Sequence, residues 1–521
     1  MERNAANFTL SPPAAICPTL LFDRSVPTEI TADISLPDYL PEIKRLLRVT
    51  ATPYHESRFL SANAATFDGR ADLLICYAGG DGGLYSTRLS RDFTVNLPID
   101  PELMAAGIDP TADTRVESVA ARATAPRKIN LRLRLRTRIR AWGEEDLTPT
   151  VEGAPLRTEC LIKRGRTVTI HRADDQPMDL AEDIPLADVE GEVRLISADG
   201  AVAVSEAVAD GDAVNCRGEL VLTLLTCTDA VEGKGSPERR VCRIPFARTV
   251  PLSGAQSGMQ ARAWGSCSDL VVTVEGDRLL CDAAIRLSAE TVEETEIAPV
   301  ADLFSPGGTV ENAVYRDVET ERHLFCGNYA VPLSGKISAV GAGIDPAASI
   351  EDAVGIAQLD EMSFSGGRLT LVGTCRISLI RREDGEYGVV EVTIPWQKVL
   401  ECSEEPTRQD AELTVIHVNA RIEGEGESAQ LTVEAEICAA LRMSRGESRR
   451  VLSRAFYRPT EGRRGTAVTV CYPEAGESLW SVARRYGVSL AALAEMNDLQ
   501  ADENCDLPAS LGGRRFLLLA E

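Results

Sequence analysis

Ala330-Val331-Pro332-Leu333-Ser334-Gly335 and Thr249-Val250-Pro251-Leu252-Ser253-Gly254 carry nearly the same text. In each copy an alternating strand ends at a proline and a turn, and a second apolar run follows downstream, Leu369-Thr370-Leu371 in one and Leu279-Leu280-Cys281 in the other. The same grammar runs from Ile34-Ser35-Leu36-Pro37 to Leu73-Leu74-Ile75, and from Phe93-Thr94-Val95-Asn96-Leu97-Pro98 to Leu131-Arg132-Leu133. It recurs from Ile184-Pro185-Leu186 to Leu220-Val221-Leu222, and from Val392-Thr393-Ile394-Pro395-Trp396 to Leu431-Thr432-Val433. Two copies also share Gly-Ile-Asp-Pro, at Gly107–Pro110 and Gly343–Pro346. Self-similarity at a period of about fifty residues marks a repeat architecture.

Six half-units, each a strand, a loop or short helix, and a β-hairpin, therefore pair into three modules at residues 28–142, 157–290 and 320–443. Period-two alternation with Gly- and acid-rich turns (Gly79–Gly83, Glu275–Asp277, Glu383–Gly385, Gly424–Gly426) predicts a mainly β fold of three tandem β-sandwich or barrel-like modules. Polar or Pro/Gly-containing joints are expected at 143–155, 298–309 and 459–465, and a short helix at Pro41.

The chain has 521 residues, room for about three or four domains. Its net charge of −24 argues against nucleic-acid or anionic-membrane binding. It holds no apolar run long enough for a membrane-spanning helix. The first residues lack a basic segment joined to a continuous apolar one, so no secretory signal is expected. Fourteen cysteines are scattered singly without Cys-x-x-Cys, several inside apolar strands (Cys76, Cys227, Cys375, Cys438), which suits buried reduced thiols in a cytosolic protein. Cys471 and Cys505 could bridge the two ends of a C-terminal unit, but in a chain without export no such bridge is expected.

No catalytic constellation stands out. There is no phosphate-binding Gly-rich loop, no His-Glu-x-x-His and no Gly-x-Ser-x-Gly elbow. The histidines (His55, His171, His323, His417) are far apart, and His417 reads as a packed or half-exposed strand residue; no metal or cofactor is expected. One electrostatic feature is unusual for so acidic a chain. Arg132, Arg134, Arg136, Arg138 and Arg140 alternate with Leu131, Leu133, Leu135 and Ile139, placing five guanidinium groups on one strand face. Either cross-strand acids balance them on a solvated outer face, or they form a docking stripe for an acidic partner or a second copy of the chain.

Residues 466–520 follow a different pattern: a short strand, a helix capped at Ser478 and stopped at Gly487, a second helix capped at Ser489 and closed at Asn497-Asp498, and a return strand at Phe516–Leu519. This βααβ unit resembles a LysM domain through Tyr472, Gly476-Glu477-Ser478-Leu479-Trp480, Val482-Ala483, Tyr486-Gly487-Val488-Ser489, Leu493 and Asn497. The resemblance implies a groove for N-acetylglucosamine polymers such as peptidoglycan, formed here by Gly476, Glu477, Ser478, Leu479, Asn497, Asp498 and Leu499, with Trp480 beside it or in the core. Gly-Glu-Ser stands where the family usually has Gly-Asp-Thr, and Leu511–Arg515 replaces the usual Pro-Gly-Gln ending.

A glycan polymer outside the cytosol fits poorly with a chain expected to stay inside. Leu36-Pro37-Asp38-Tyr39-Leu40-Pro41-Glu42-Ile43, the repeated Leu-Pro and Pro-Leu strand ends, and the order of modules ahead of the LysM unit resemble the SPOCS-domain proteins of spore-forming Firmicutes. That resemblance implies a non-enzymatic scaffold at the forespore surface of the mother cell. Its LysM unit would bind a spore coat morphogenetic ATPase, and its modules would recruit other coat proteins or self-associate. A peptidoglycan-binding cell-wall protein is the alternative.

Overall fold

The computed structural model describes residues 8–9, 14–105, 107–153, 158–186, 193–228, 237–306, 308–459, 469–474, 477–499 and 517–519. Of the described residues, 77% are strand and 5% helix, as period-two alternation requires. In chain order, β1 (Phe8–Thr9) precedes β2 (Ile16–Ser35), β3 (Ile43–Ser61), β4 (Ala64–Gly79), β5 (Leu84–Pro98), the short helix α1 (Pro101–Ala105), β6 (Thr111–Ala125) and β7 (Lys128–Asp146). The connector strands β8 (Thr150–Glu152) and β9 (Glu159–Ile162) follow. Next come β10 (Gly165–Pro185), β11 (Val193–Ala209), β12 (Ala213–Thr228), β13 (Pro237–Pro251), β14 (Gln260–Glu275) and β15 (Arg278–Ile297). After a third connector, β16 (Val300–Phe304), the series repeats as β17 (Gly308–Ser338), β18 (Ser349–Ser365), β19 (Arg368–Glu383), β20 (Glu386–Glu401), β21 (Arg408–Glu423) and β22 (Gln430–Pro459).

Each module holds two three-stranded sheets with one topology: β2-β7-β6 and β3-β4-β5, then β10-β15-β14 and β11-β12-β13, then β17-β22-β21 and β18-β19-β20. The half-units do not stay together. β2 leaves the β3–β4 hairpin to pair with β7, while β5 joins that hairpin through β4. Each half thus lends its first strand to the other half's hairpin, and the apolar faces of both sheets share one core. In the first module this core includes Phe67, Leu73, Phe93, Leu131, Leu133 and Leu135.

One glycine recurs at the centre of each module. Gly69, Gly218 and Gly373 lie directly across from Phe93, Phe246 and Trp396. A Cβ at Gly218 would sit 2.1 Å from the Ala203 carbonyl oxygen and 2.8 Å from the Phe246 ring. The missing side chain lets the aromatic ring lie over the backbone.

The modules close into a ring. β5 packs on β11, β13 on β18, and β20 on β3, so the fourth strand of each module touches the second strand of the next. Arg88 donates to the Ala198 carbonyl (2.5 Å), Arg239 to that of Ala353 (3.3 Å), and Lys44 pairs with Glu386 (2.8 Å). Cys76, Leu225 and Ile380 meet in one apolar cluster, and each stands seven residues beyond its module's glycine (69, 218 and 373). This is head-to-tail closure, of the kind that builds cyclic oligomers, within a single chain.

Three sequence expectations are corrected. No helix starts at Pro41: residues 38–40 form a turn, and β3 begins at Ile43. Arg127 Nη2 donates to the carbonyls of Pro37, Asp38 and Leu40 at 2.7–2.9 Å, which holds the turn. The joints at 143–155 and 298–309 are not plain connectors. β9 pairs with β1 and β16 in a small antiparallel sheet, and β8 adds in parallel to β22. The third joint, at 459–465, lies outside the described residues apart from Pro459. Finally, Arg140 shares a face with the other stripe arginines but is buried, because the second and third modules cover that end of β7.

Candidate functional site

The C-terminal unit is built from β23 (Thr469–Cys471), α2 (Leu479–Tyr486), α3 (Leu490–Met496) and β24 (Leu517–Leu519), with β23 and β24 antiparallel. Ser478 caps α2: its backbone is extended and its Oγ accepts from the Ser481 N–H at 3.1 Å. Gly487 stops α2 at φ 65°, and the Val488 N–H returns to the Ala483 carbonyl at 3.0 Å. Arg484 and Arg485 occupy its last turn, where cations complement the helix dipole. The start of α3 departs from expectation. Ser489 makes no side-chain cap; the Leu490 N–H instead donates to Glu159 Oε2 of β9 at 2.9 Å. A carboxylate from a distant connector replaces the local cap.

Of the groove residues, Gly476 lies outside the described residues. Glu477 accepts from the Glu474 N–H at 3.0 Å and pairs with Arg485 at 2.9 Å, which fixes the turn before α2. Leu479 is fully buried, and Leu499 packs half-buried against the same cluster, so the turn edge and the loop edge share one small core. Asn497 is buried, its side chain donating to the Leu493 carbonyl at 2.7 Å. Asp498 is exposed, in the left-handed region at φ 52°. Ser478 remains half-buried at the rim.

Trp480 belongs to a different contact. It is 4% exposed and stands edge-on to Phe304 of β16, ring centroids 4.9 Å apart. Its indole N–H donates to Asp302 Oδ2 at 2.9 Å, and Arg484 reaches the same oxygen at 2.6 Å. Leu161 of β9 and Phe304 complete the apolar cluster of the unit. The C-terminal unit therefore sits on the connector sheet, with Trp480 on its docking side. Sequence reading missed this docking, because Asp302, Leu161 and Glu159 carry no local signal of a partner more than a hundred residues away. Cys471 is a buried free thiol; Cys505 lies outside the described residues.

The arginine stripe carries its own counter-ions. Arg132 and Arg134 pair with Glu29 (3.2 and 3.0 Å), Arg136 with Glu117, and Arg138 with Asp23. Arg140 instead enters a buried network where the modules converge. Its partners are Asp113 (2.9 Å) and Asp410, while Arg262 binds Glu290 (3.0 Å) and Asp410 (2.9 Å). Arg172 and Arg262 each stand 4.9 Å from the Trp264 ring centroid. Burial pushes the Asp410 carboxyl up, but the guanidinium groups of Arg262, Arg140 and Arg442 outweigh it and hold it well below the carboxylate range. At the edge of this network burial wins, raising Asp174 and Asp175 to about 6. A cavity of about 460 Å³ adjoins them, with His55 and Arg172 in its wall. Burial lowers the pKa of His55, His323 and His417, and no three His, Cys, Asp or Glu among the described residues could hold a metal ion together. No described helix is long and apolar enough to cross a membrane.

Residues 474–504 match the family model of the LysM domain, a stretch that spans both helices and the residues expected to line the groove. No curated protein matches the chain, and no solved structure matches it.

Proposed function

We propose that the chain is a non-catalytic binding protein whose LysM unit takes an N-acetylglucosamine polymer, with peptidoglycan the first candidate, and is carried on a ring of β modules. The family match over 474–504 carries this reading. Its support in the geometry is the pairing of the Glu477–Leu479 turn with the Asn497–Leu499 loop around one core, with Trp480 turned away to the connector sheet. Sedimentation of the full chain with insoluble peptidoglycan tests it, beside Asp498→Gly. Glycine suits the left-handed backbone at φ 52°, so this variant removes the groove carboxylate without straining the backbone. The wild type is expected to pellet, to be released by chitohexaose, and to lose several-fold in affinity on the substitution. A wild type that stays in solution at all peptidoglycan concentrations sinks the reading.

A second reading has its own support. The described cysteines are nearly all buried among apolar side chains, as small hydrophobes of a reducing compartment are. Together with the resemblance to SPOCS-domain proteins, this favours a scaffold in spore coat assembly whose LysM groove binds a coat morphogenetic ATPase, with the modules meeting other coat proteins. Binding of the purified ATPase by a chain that ignores peptidoglycan supports this second reading.

A further inference from the structure

Asp302 ties the ring to the LysM unit, and its hydrogen bonds run inward. Oδ1 accepts from the Leu303 N–H at 2.9 Å and from the Tyr315 hydroxyl of β17 at 3.0 Å. Oδ2 accepts from Trp480 at 2.9 Å and Arg484 at 2.6 Å. One carboxylate thus binds a connector, the first strand of the third module and two successive turns of α2. Burial and the neighbouring Asp302 carboxylate together raise the Tyr315 hydroxyl, so it stays a donor at neutral pH. Arg450 stands 4.5 Å over the Tyr315 ring and holds it from the other side.

The groove edge and the docking edge lie on the same short helix. Ser478 and Leu479 open α2 at the groove, Trp480 follows immediately on the docking side, and Arg484 is one turn further. α2 has eight residues, too few to bend independently at its two ends. The α3 side is held likewise, through the Glu159 carboxylate on the Leu490 N–H. Both helices flanking the groove are therefore referenced to one sheet made of inter-module connectors.

We infer that Asp302 is a positioning residue for the LysM groove: by holding Trp480 and Arg484 on the connector sheet, it sets the orientation of α2 and couples groove occupancy to the ring. This deepens the glycan-binding reading above and rests on it for the identity of the ligand. Coupling of this kind is reciprocal, so a ligand that favours the docked orientation of α2 also tightens the docking.

The test uses the full chain, with Asp302→Ala, Asp302→Asn and Arg484→Ala. The last approaches the same contact from an exposed side chain and guards against a misfolded connector. Two quantities are read: the radius of gyration by small-angle X-ray scattering, and the affinity for chitohexaose. In Asp302→Ala the radius is expected to rise, with a fall of about tenfold in affinity. Asp302→Asn, which keeps an oxygen acceptor for Trp480, should recover part of both. Added chitohexaose should bring the radius of Arg484→Ala back towards the wild-type value. An unchanged radius in Asp302→Ala and Arg484→Ala overturns the proposal, and so does a larger radius with unaltered affinity. A wild type without affinity for chitohexaose overturns the ligand reading instead, and the scattering then decides the docking by itself.

Discussion

Asp175 shows how one residue is set by its surroundings. It sits at a β-bulge between Ala173 and Gln176, in the left-handed region at φ 46°, and its carboxylate accepts from the His55 N–H at 3.0 Å. Burial raises it to about 6, more than the neighbouring Arg172 and Arg286 offset. Its folded pKa thus exceeds the ordinary value near 4. The contribution to stability is present below that ordinary value and is lost as pH rises through about 6. Asp175→Asn tolerates the same backbone and keeps an acceptor for His55. It is expected to flatten the fall in stability between pH 4 and 6, and to raise stability at pH 7 by roughly 1–2 kcal/mol. Urea melts across that pH range check this; an unaltered slope refutes it. Nothing in the local sequence around Asp174-Asp175 signals the shift, because the groups that bury the pair come from other strands.

At the scale of the element, the strand glycines decide more than the turn glycines. A Cβ at Gly69 would meet the Tyr54 carbonyl at 2.5 Å, and one at Gly373 that of Gln358 at 2.2 Å. Backbone cannot yield as a side-chain tip can, so Gly218→Ala should cost about 2–3 kcal/mol of stability, measured by denaturant unfolding. The same substitution at Gly80, whose Cβ would lie 3.8 Å from its nearest neighbour, should cost under about 1 kcal/mol. Equal costs at the two sites would refute the packing argument. The repeated Gly-hairpin strands were legible in sequence. The reason for the glycine was not, since it lies in an aromatic ring on the neighbouring strand. The helices of the LysM unit were legible down to the Ser478 cap and the Gly487 stop, which are local. The cap of α3 was not, since Glu159 supplies it from 331 residues away.

At the scale of the molecule, the ring is fastened by apolar contacts on one layer and by the buried charge network on another. Arg262 is fully buried, with Glu290 and Asp410 as partners and the carbonyls of Asp410 and Ala440 at 2.9 and 3.1 Å. Removing one member of such a network leaves buried charge without its partner, which typically costs about 3–5 kcal/mol. Arg262→Ala should therefore loosen the second module from the third, visible in a scanning calorimeter as a single transition splitting in two. A single transition at the wild-type temperature would show that the apolar layer alone holds the ring. The acidic carboxylates of the network cannot be told from solvated surface acids in the sequence, because Asp410 and Glu290 sit in ordinary alternating strands.

The sequence by itself determined the period of about fifty residues, the mainly β character, and the LysM unit with its two helices. Each is written in residues close together in the chain: strand alternation, turn glycines, caps and stops. Only the tertiary structure decided that each half-unit lends its first strand to the other's hairpin and that the modules close head to tail. It likewise decided that Arg140 leaves the exposed stripe for a buried network and that Trp480 faces Asp302 rather than solvent. The physical reason is common to all four. Alternation states which face of a strand is apolar but not which surface covers it, and the covering residues lie far away in the chain, where no local preference specifies them.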